Sequence, residues 1–259
     1  MLKAAGQRLL DLQECYDATI AERNDGWIDG GPNGYYTLNE LNEIFIGDDG
    51  KPCWLAHQRN PHRRYPGANV RPVDDCTASG GNYCYSSDEA LRCENADYPS
   101  RVAMLFANII PGTPVLHGTD DLTKAYRQCI TCQPQFAVVA VWNPTAKRVE
   151  FFIVKGFPFG LATAVLQFNR IPQCIVAACR RLLALCVCHY YDDYNLCEPR
   201  YSAKRGQFML RRVHELLGFL LDPTKHISAA ESNPFLGVVT DLSVLHQGII
   251  VLKLSQIER

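Results

Sequence analysis

Two apolar runs in this chain each end in a pair of aspartates. Asp120 and Asp121 follow the run PVLHGT, and Asp192 and Asp193 follow the longer run LLALCVCHYY. Each run has the length and composition of a buried strand, and adjacent acids at its end mark either a turn or a site that holds cations. If the two strands are neighbours in one sheet, their carboxylates meet at its edge.

Composition and charge limit the classes of protein to consider. A chain of 259 residues with 47% hydrophobic and 20% charged residues can bury a large core, as one big domain or two small ones. The net charge of −1 neither indicates nor excludes a nucleic-acid partner. No apolar run reaches the ~18 to 20 residues that span a bilayer, and the charged, amphipathic start is unlike a signal peptide. We expect a protein of the cytoplasm or nucleus with no membrane partner.

The cysteines leave one alternative open. All twelve are expected to behave mostly as small buried hydrophobic residues, because a reducing compartment is expected. Cys129 and Cys132 have the C-x-x-C spacing of a zinc knuckle, but no second pair stands nearby at ligand spacing. Structural zinc is the less favoured interpretation.

The first hundred residues carry several local signals. Residues 5–23 are predicted to form a helix, and the T-x-x-E spacing of Thr37 and Glu40 predicts a short capped helix. Residues 57–71 are basic and contain two prolines, which favours an extended segment or hairpin. Residues 76–100 are polar and typical of a loop or insertion.

Beyond residue 101 the chain becomes denser in apolar residues. Two β-rich runs in QFAVVAVWNPTAKRVEFFIVKG are joined by Asn-Pro-Thr-Ala, where Pro144 fixes φ, and this pattern predicts a hairpin. The segment FPFGLATAVLQFNRIPQCIVAACRRLLAL predicts a turn followed by a long helix that bends near Pro172.

Carboxylates that meet at strand ends imply a particular chemistry. They cannot all stay ionised without a compensating cation, and Mg²⁺, with Mn²⁺ as an alternative, suits hard oxygen ligands. Two such ions about 3.5–4 Å apart stabilise the attacking and leaving oxygens of a phosphoryl displacement. A single Asp-Asp pair is more often a turn or helix cap, but two pairs that each follow an apolar strand favour nucleotidyl transfer or nuclease chemistry.

Six segments, in order, resemble the motifs of reverse transcriptases from retrotransposons and retroviruses. They are VRPVDDCTASGGN, DLTKAY, FPFGLATAVLQF, YYDD, LGFLLDPTKHI and FLGVVTDLS, within residues 55–243. The resemblance implies an α+β right-hand polymerase whose palm is a ferredoxin-like antiparallel sheet packed on helices. The implied domains are 1–115 for an N-terminal extension and fingers, with the polar insertion at about 76–100, then 116–243 for the palm, and 244–259 for a tail or the start of a missing thumb.

The resemblance also implies a role for the acidic residues. Asp121, Asp192 and Asp193 would be the catalytic acids. Together with the backbone carbonyl of Leu122, they would be the ligands of two Mg²⁺ ions, whereas Asp120 would be a neighbour and not a ligand.

Other matched positions imply contacts with the nucleotide and the primer. Tyr126 stands where the family has an aromatic steric gate, which favours dNTP over NTP. Arg71 would bind the triphosphate, with Arg64 or its neighbour Arg63 as a second cation. The remaining implied contacts are Phe159 and Gly160 at the nucleotide and template site, Lys225 as general acid for the pyrophosphate leaving group, and Val238 and Val239 in the primer grip.

The implied function is template-directed DNA synthesis from dNTPs, on an RNA template. The implied partners are an RNA or DNA template-primer duplex, dNTP and the rest of a retroelement polyprotein. Two departures from the family pattern are Val165, in place of the usual proline, and Thr77, where many members have an arginine. We also expect almost no thumb, because sixteen residues follow the primer-grip segment.

Two alternatives remain open at this point. One is an inactive or domesticated reverse-transcriptase-like remnant that binds nucleic acid or a protein partner, which the expected lack of a thumb favours and the intact acids disfavour. The other is an RNA-dependent RNA polymerase, which Tyr126 and the FPFG segment disfavour.

Overall fold

Helices and strands alternate along the chain and give a mixed α+β structure, as the resemblance implies. The computed structural model describes residues 2–84, 86 and 90–255. No helix in these ranges combines the length and the apolar character that a membrane crossing requires. The α-helices in these ranges are α1 (Leu2–Asn24), α2 (Leu38–Ile44), α3 (Tyr98–Ile109), α4 (Ala162–Leu183) and α5 (Arg200–Leu216).

The strands form three sheets, and the chain separates into two compact units. Unit 1 contains Met1–Glu89 and Tyr126–Gln167, and unit 2 contains Ala90–Ala125 and Phe168–Arg259. The strands are β1 (Ile28–Asp29), β2 (Ala56–His62), β3 (Arg71–Asp75), β4 (Val115–Asp121), β5 (Val138–Asn143), β6 (Arg148–Val154), β7 (Val187–Tyr190), β8 (Asp193–Pro199), β9 (Ile227–Ala230), β10 (Ser232–Phe235), β11 (Val238–Asp241) and β12 (Val251–Leu254).

Unit 1 is built on a five-stranded sheet of order β1-β6-β5-β2-β3. The predicted hairpin with the Asn-Pro-Thr-Ala turn is confirmed as β5–β6, in which Asn143 pairs with Arg148. The basic segment is also extended, since β2 and β3 pair as an antiparallel hairpin. Strand β2 pairs in parallel with β5 and joins the two hairpins into one sheet.

The predicted helices of unit 1 are confirmed, and the first of them covers its sheet. Helix α1 packs its Cys15 into a core with Phe152 and Val139 from the sheet. At the start of α2 the Thr37 hydroxyl accepts from the Glu40 N–H, and the Glu40 carboxylate accepts from the Thr37 N–H, which is the predicted capping box.

A buried group of four charged side chains joins α1, the β2–β3 hairpin and the segment after β4. Arg59 donates to both carboxylate oxygens of Asp74, at 2.7 and 3.2 Å, and to Glu22 at 3.0 Å. Arg127 lies 3.3 Å from Glu22 and 3.6 Å from Asp74. Each acid therefore faces two guanidinium groups, so the buried charges balance.

Unit 2 contains two antiparallel sheets. The first has the order β7-β8-β4-β9, and the second the order β10-β11-β12. Helices α3 and α5 pack on the first sheet. Between the sheet and α3, Val115 and Cys188 lie in a core with Tyr98.

The two apolar runs lie in one sheet but are not direct neighbours. The second run contributes the end of α4 and then β7, which is an edge strand and not a central one. The strand that pairs with β4 is β8, which begins at Asp193. The reason is the tight turn after Tyr190, which folds the chain back so that β8 lies between β7 and β4.

Other predictions fall partly outside the described residues. Residues 85 and 87–89 of the polar insertion, and residues 256–259 of the predicted tail, lie outside them. The predicted long helix is confirmed as α4, which continues through Pro172. The domain boundaries from the resemblance are contiguous, whereas the two units each combine two stretches of chain; the assignment of fingers and palm stays a prediction.

Candidate active site

Three aspartates meet where two strands of unit 2 join. Asp121 is the last residue of β4 and Asp193 the first of β8, and these two residues are paired across the strands. Asp192 lies in the two-residue turn between β7 and β8, because Tyr190 and Asp193 close that turn. We call Asp121, Asp192 and Asp193 the carboxylate cluster.

The turn that carries Asp192 has an unusual backbone. Tyr191 has φ of 52°, in the left-handed region that favours glycine, which costs a non-glycine residue on the order of 1–3 kcal/mol. The rings of Tyr190 and Tyr191 pack edge to face at 4.8 Å. The Leu122 N–H donates to the Asp192 carbonyl at 3.2 Å and ties the turn to the end of β4. Leu122 is therefore beside the cluster, and the role of its carbonyl stays a prediction.

The cluster brings the three carboxylates into reach of one ion. One oxygen from each lies within 4.8 Å of the others, and no other group of three or more His, Cys, Asp or Glu side chains in the described ranges meets this criterion. Asp121 is buried, whereas Asp192 and Asp193 are half-buried. The cluster is therefore partly in a low-dielectric environment and partly accessible to solvent.

Burial and mutual repulsion perturb these acids. Burial raises the pKa of Asp192, and the charge of Asp121 raises it further. Burial also raises the pKa of Asp193 to about 7, together with a hydrogen bond to Asp121 and repulsion from Asp192. Both shifts have the sign expected for carboxylates that share one site without enough positive charge.

Lys225 supplies part of that charge. Its ammonium lies 2.5 Å from the Asp121 carboxylate, and its side chain is 59% exposed. Partial burial would lower the pKa of Lys225, but the hydrogen bond to Asp121 and the charges of the cluster raise it above its ordinary value. One ammonium thus faces three carboxylates, and the donor set of hard oxygens fits a divalent cation such as Mg²⁺ or Mn²⁺.

Asp120 belongs to the other face of the sheet, as expected from the alternation along a strand. It is 2% exposed and accepts from His226 at 2.7 Å and from Gln207 at 3.1 Å. Asp120 therefore lies on a different face from the carboxylate cluster, and its predicted role as a neighbour and not a ligand stays a prediction.

In unit 1, the segment Phe157–Gly160, which we call the FPFG loop, contains two of the predicted nucleotide contacts and lies against a third, Tyr126. The ring of Tyr126 packs edge to face on Phe159 with centroids 6.0 Å apart. A cavity of about 230 Å³ is lined by both rings and by Gly160. Tyr126, Phe159 and Gly160 therefore form one surface of this cavity.

The FPFG loop is fixed to β3 by contacts that sequence reasoning missed. The Phe159 N–H donates to the Asp74 carboxylate at 3.1 Å, and its carbonyl accepts from the Asp74 N–H at 2.8 Å. Gly160 has φ of 130°, and a Cβ there would lie 2.0 Å from the Asp74 carbonyl oxygen. The Asn82 carboxamide donates to the Gly160 carbonyl and accepts from the first N–H of α4. Asp74 and Asn82 both lie in the motif VRPVDDCTASGGN, which was the available signal.

The predicted cations of unit 1 lie at the two ends of the loop that joins β2 to β3. Arg71 and Arg64 are both exposed. Arg63 instead donates to Asp11 at 2.9 Å and Glu14 at 2.6 Å on α1. Of the two candidates for a second cation, Arg63 is therefore already neutralised.

The predicted primer-grip segment is a hairpin in unit 2. Phe235 pairs with Val238 around a two-residue turn of Leu236 and Gly237, both with positive φ. Val238 and Val239 are half-buried in β11. Their role toward a primer stays a prediction.

The cysteines follow the prediction in part, since six of the twelve are buried, two are half-buried and four are exposed. All twelve are free thiols, and Cys129 is buried, with its pKa raised to about 11 by that burial. Cys132 is exposed, and neither belongs to a metal-binding group in the part of the chain that the structure describes.

Comparison with known proteins supports the fold alone. No protein-family profile and no characterised protein sequence matches the chain. The structure of a foamy viral protease-reverse transcriptase in complex with double-stranded DNA is 16% identical, with a TM-score of 0.50, over 76% of this chain and 36% of that chain. A second, of foamy viral protease-reverse transcriptase dRH with double-stranded DNA, is 15% identical, with a TM-score of 0.49, over 70% of this chain and 28% of that chain. The chain spans about a third of the length of these structures and has a distant reverse-transcriptase-like fold.

Proposed function

We propose that the chain is an RNA-directed DNA polymerase that transfers nucleotides from dNTPs to a primer 3′-hydroxyl by two-metal chemistry. The observation that carries this proposal is the carboxylate cluster, in which three carboxylates with one lysine converge at a strand junction. The distant reverse-transcriptase-like fold and this donor set of hard oxygens both support the proposal.

Asp121, Asp192 and Asp193 are the proposed ligands, with the Leu122 carbonyl beside them. When bound, divalent metal supplies Lewis-acid stabilisation of the charge on the attacking and leaving oxygens. The raised pKa of Asp193 supports this role, because it shows that the cluster lacks positive charge, which a bound cation would supply in exchange for the proton.

The remaining residues act on the nucleotide in this proposal. Lys225, whose ammonium form its acidic neighbours favour, donates a proton to the pyrophosphate leaving group. Arg71 binds the triphosphate through its planar guanidinium. Tyr126, braced by Phe159, blocks the position of a ribose 2′-hydroxyl and so selects dNTP. Gly160 completes that surface.

The partners follow from the same proposal. The structures with a similar fold contain double-stranded DNA, and we extend this to a template-primer duplex of RNA or DNA, with Val238 and Val239 toward the primer. The right-hand arrangement of fingers and palm, the membership of a retroelement polyprotein and a cytoplasmic or nuclear site of action are parts of the proposal.

Primer extension tests the enzyme directly. Wild-type protein with an RNA template, a DNA primer, dNTPs and Mg²⁺ or Mn²⁺ is expected to extend the primer, whereas Asp192→Asn is expected to lose at least about 100-fold in rate. The matched control is Asp97→Asn, which removes an exposed carboxylate of the same unit that pairs with Arg101. Extension by Asp192→Asn at the wild-type rate would overturn the proposal. Absence of extension with tight duplex binding would favour the inactive, nucleic-acid-binding alternative.

The sugar preference tests the gate separately. Tyr126→Ala is expected to raise NTP incorporation relative to dNTP, because the ring no longer fills the space of the 2′-hydroxyl. Phe159→Leu is the comparison, since it removes the ring that packs on Tyr126 but keeps an apolar side chain. An unchanged ratio in Tyr126→Ala would show that the gate assignment is wrong.

A further inference from the structure

A groove of about 530 Å³ lies between α5 and β9 in unit 2, a volume within the range of ligand-binding sites. Its wall on α5 is formed by residues spaced three or four apart, which share one helix face. Lys204, Phe208 and Arg211 follow this spacing. The opposite wall is β9, with Ser228 and the preceding His226.

The groove has a rigid floor. The Gln207 carboxamide donates to Asp120 at 3.1 Å and to the Ile227 carbonyl at 2.9 Å, and it accepts from the Ala229 N–H at 2.9 Å. These bonds join α5 to both neighbouring strands. A ligand would therefore meet a preformed surface and not a mobile one.

The charge of the groove is predominantly positive. Lys204, Arg211 and Arg212 line it, against one lining acid, Glu215, which pairs with Arg212. Asp120 lies beneath the floor, 2% exposed, bonded to Gln207 and His226 and 3.8 Å from the Arg211 guanidinium. Arg211 is therefore partly compensated, but the three lining cations still outnumber these two acids. The accessible surface thus presents more cations than anions, which favours an anionic ligand.

Phe208 indicates that the ligand also has an aromatic or apolar part. Its side chain stands among these cations at the groove wall and is 61% exposed. An exposed aromatic ring flanked by cations is the arrangement with which proteins bind single-stranded nucleic acid, because the ring stacks on a base while the cations contact phosphates. An acidic peptide would use the cations but would leave the ring exposed.

We propose that the α5–β9 groove binds a single-stranded nucleic acid, with Lys204 and Arg211 on its phosphates and Phe208 stacked on a base. The groove and the carboxylate cluster lie on opposite faces of β4, since Asp120 faces α5 and Asp121 faces Lys225. This site is thus separate from the one proposed for nucleotidyl transfer, and it holds a strand away from the reaction.

The substitution Phe208→Trp places a fluorescent side chain in the groove, so that binding there can be measured as a change in fluorescence. The native tryptophans, Trp27, Trp54 and Trp142, all lie in the sequence of unit 1, so wild-type protein supplies the background. We expect oligo(dT) of twelve nucleotides, without divalent metal, to quench the fluorescence of Phe208→Trp saturably and wild-type fluorescence much less. Quenching that is equal in the two proteins would overturn the proposal.

Charge substitutions on the same helix provide the matched comparison. In the Phe208→Trp background, Lys204→Gln is expected to weaken binding about 3- to 10-fold and to reduce the slope of log affinity against log salt by ~0.7, the value for one phosphate contact on a single strand. Arg205→Gln removes a charge from α5 outside the groove lining and is expected to change neither. Equal effects of the two substitutions would contradict the assignment.

Three further measurements separate the alternatives. Anisotropy of labelled oligo(dT) with Phe208→Leu, which needs no new tryptophan, is expected to show at least about 5-fold weaker binding, since the stacking ring is lost. Asp192→Asn in the Phe208→Trp background is expected to keep the quenching, and its loss would place the oligonucleotide at the carboxylate cluster instead. Displacement of oligo(dT) by polyglutamate at equal charge concentration would identify an acidic protein as the ligand and overturn the proposal.

Discussion

Units 1 and 2 each contain an aspartate with a shifted pKa, Asp74 and Asp193, and the two shifts have opposite signs. In unit 1, burial alone would raise the pKa of Asp74, but the guanidiniums of Arg59 and Arg127 lower it below its ordinary value. In unit 2, burial raises the pKa of Asp193 to about 7, and the nearby carboxylates of Asp192 and Asp121 add to the shift. The residue type is the same, and the neighbouring charges decide the sign.

The sign of the pKa shift distinguishes acids whose charge is compensated within the fold from acids whose charge is not. The Asp74 carboxylate contacts two arginines and accepts from the Phe159 N–H of the FPFG loop, so its charge is satisfied within the protein. The carboxylate cluster has Lys225 as its contacting cation and keeps a deficit of positive charge. Such a deficit is typical of sites that bind a cation or a proton during function.

The largest expected effect is on the balanced group of unit 1. Arg59→Met removes the guanidinium that pairs with both Asp74 and Glu22, so it is expected to lower the free energy of unfolding by about 3–5 kcal/mol. The free energy of unfolding is measured by urea denaturation, with tryptophan fluorescence as the signal. The control is Lys51→Met, whose exposed ion pair with Asp49 at 3.9 Å should contribute less than about 1 kcal/mol. A loss in Arg59→Met no larger than in the control would show that these charges are not a structural unit.

A smaller effect of opposite sign is expected in the carboxylate cluster. The folded-state pKa of Asp193 is raised, so ionisation of this carboxyl destabilises the folded protein. This loss of stability is absent below the unfolded-state pKa, grows as pH rises and is complete above about pH 7. Asp193→Asn without divalent metal should therefore stabilise the fold by about 1–3 kcal/mol at pH 8 and hardly at all at pH 4. Denaturation at both pH values tests this.

The control for that substitution is Asp222→Asn. Hydrogen bonds from Thr224 lower the pKa of Asp222, so its removal should give no stabilisation at pH 8. If Asp193→Asn were destabilising at pH 8, the repulsion within the cluster would be refuted.

The smallest effect on stability is expected for Lys225→Gln. The side chain is 59% exposed, so the loss should stay below about 1 kcal/mol. Removal of the ammonium should nevertheless raise the pKa of Asp193 further, because Lys225 is the cation that lowers it. The pH at which metal-free stability levels off should move upward. An unmoved profile would mean that Lys225 does not act on the cluster.

The cluster could be predicted from sequence because its signals are local. Each acid follows an apolar run, and the acids fall within motifs whose order resembles that of one family. The insertion of β8 between the two apolar runs could not be predicted, because it depends on the turn at Tyr191, whose positive φ no pattern of apolar and polar residues predicts. A tyrosine at that turn position gives no glycine signal.

The charged group of unit 1 could not be predicted for a different reason. Arg127 and Glu22 are 105 residues apart in sequence, and Arg59 and Glu22 are 37 apart, so only the folded chain brings them together. Asp74 stood in a quoted motif, but its contact with Phe159 of the FPFG loop joins residues 85 apart in sequence. Helix capping at Thr37 and Glu40, by contrast, needs three residues of spacing and was predicted correctly.

Metal binding by the carboxylate cluster is the central claim, and calorimetric titration with Mn²⁺, repeated with Mg²⁺, tests it most directly. The account predicts saturable binding that releases protons at pH 6.5, where Asp193 is largely protonated, and releases fewer at pH 8.5. It also predicts that Asp192→Asn abolishes this binding while Asp97→Asn retains it. Binding that is the same in Asp192→Asn and wild type, or no binding at either pH, would contradict the account.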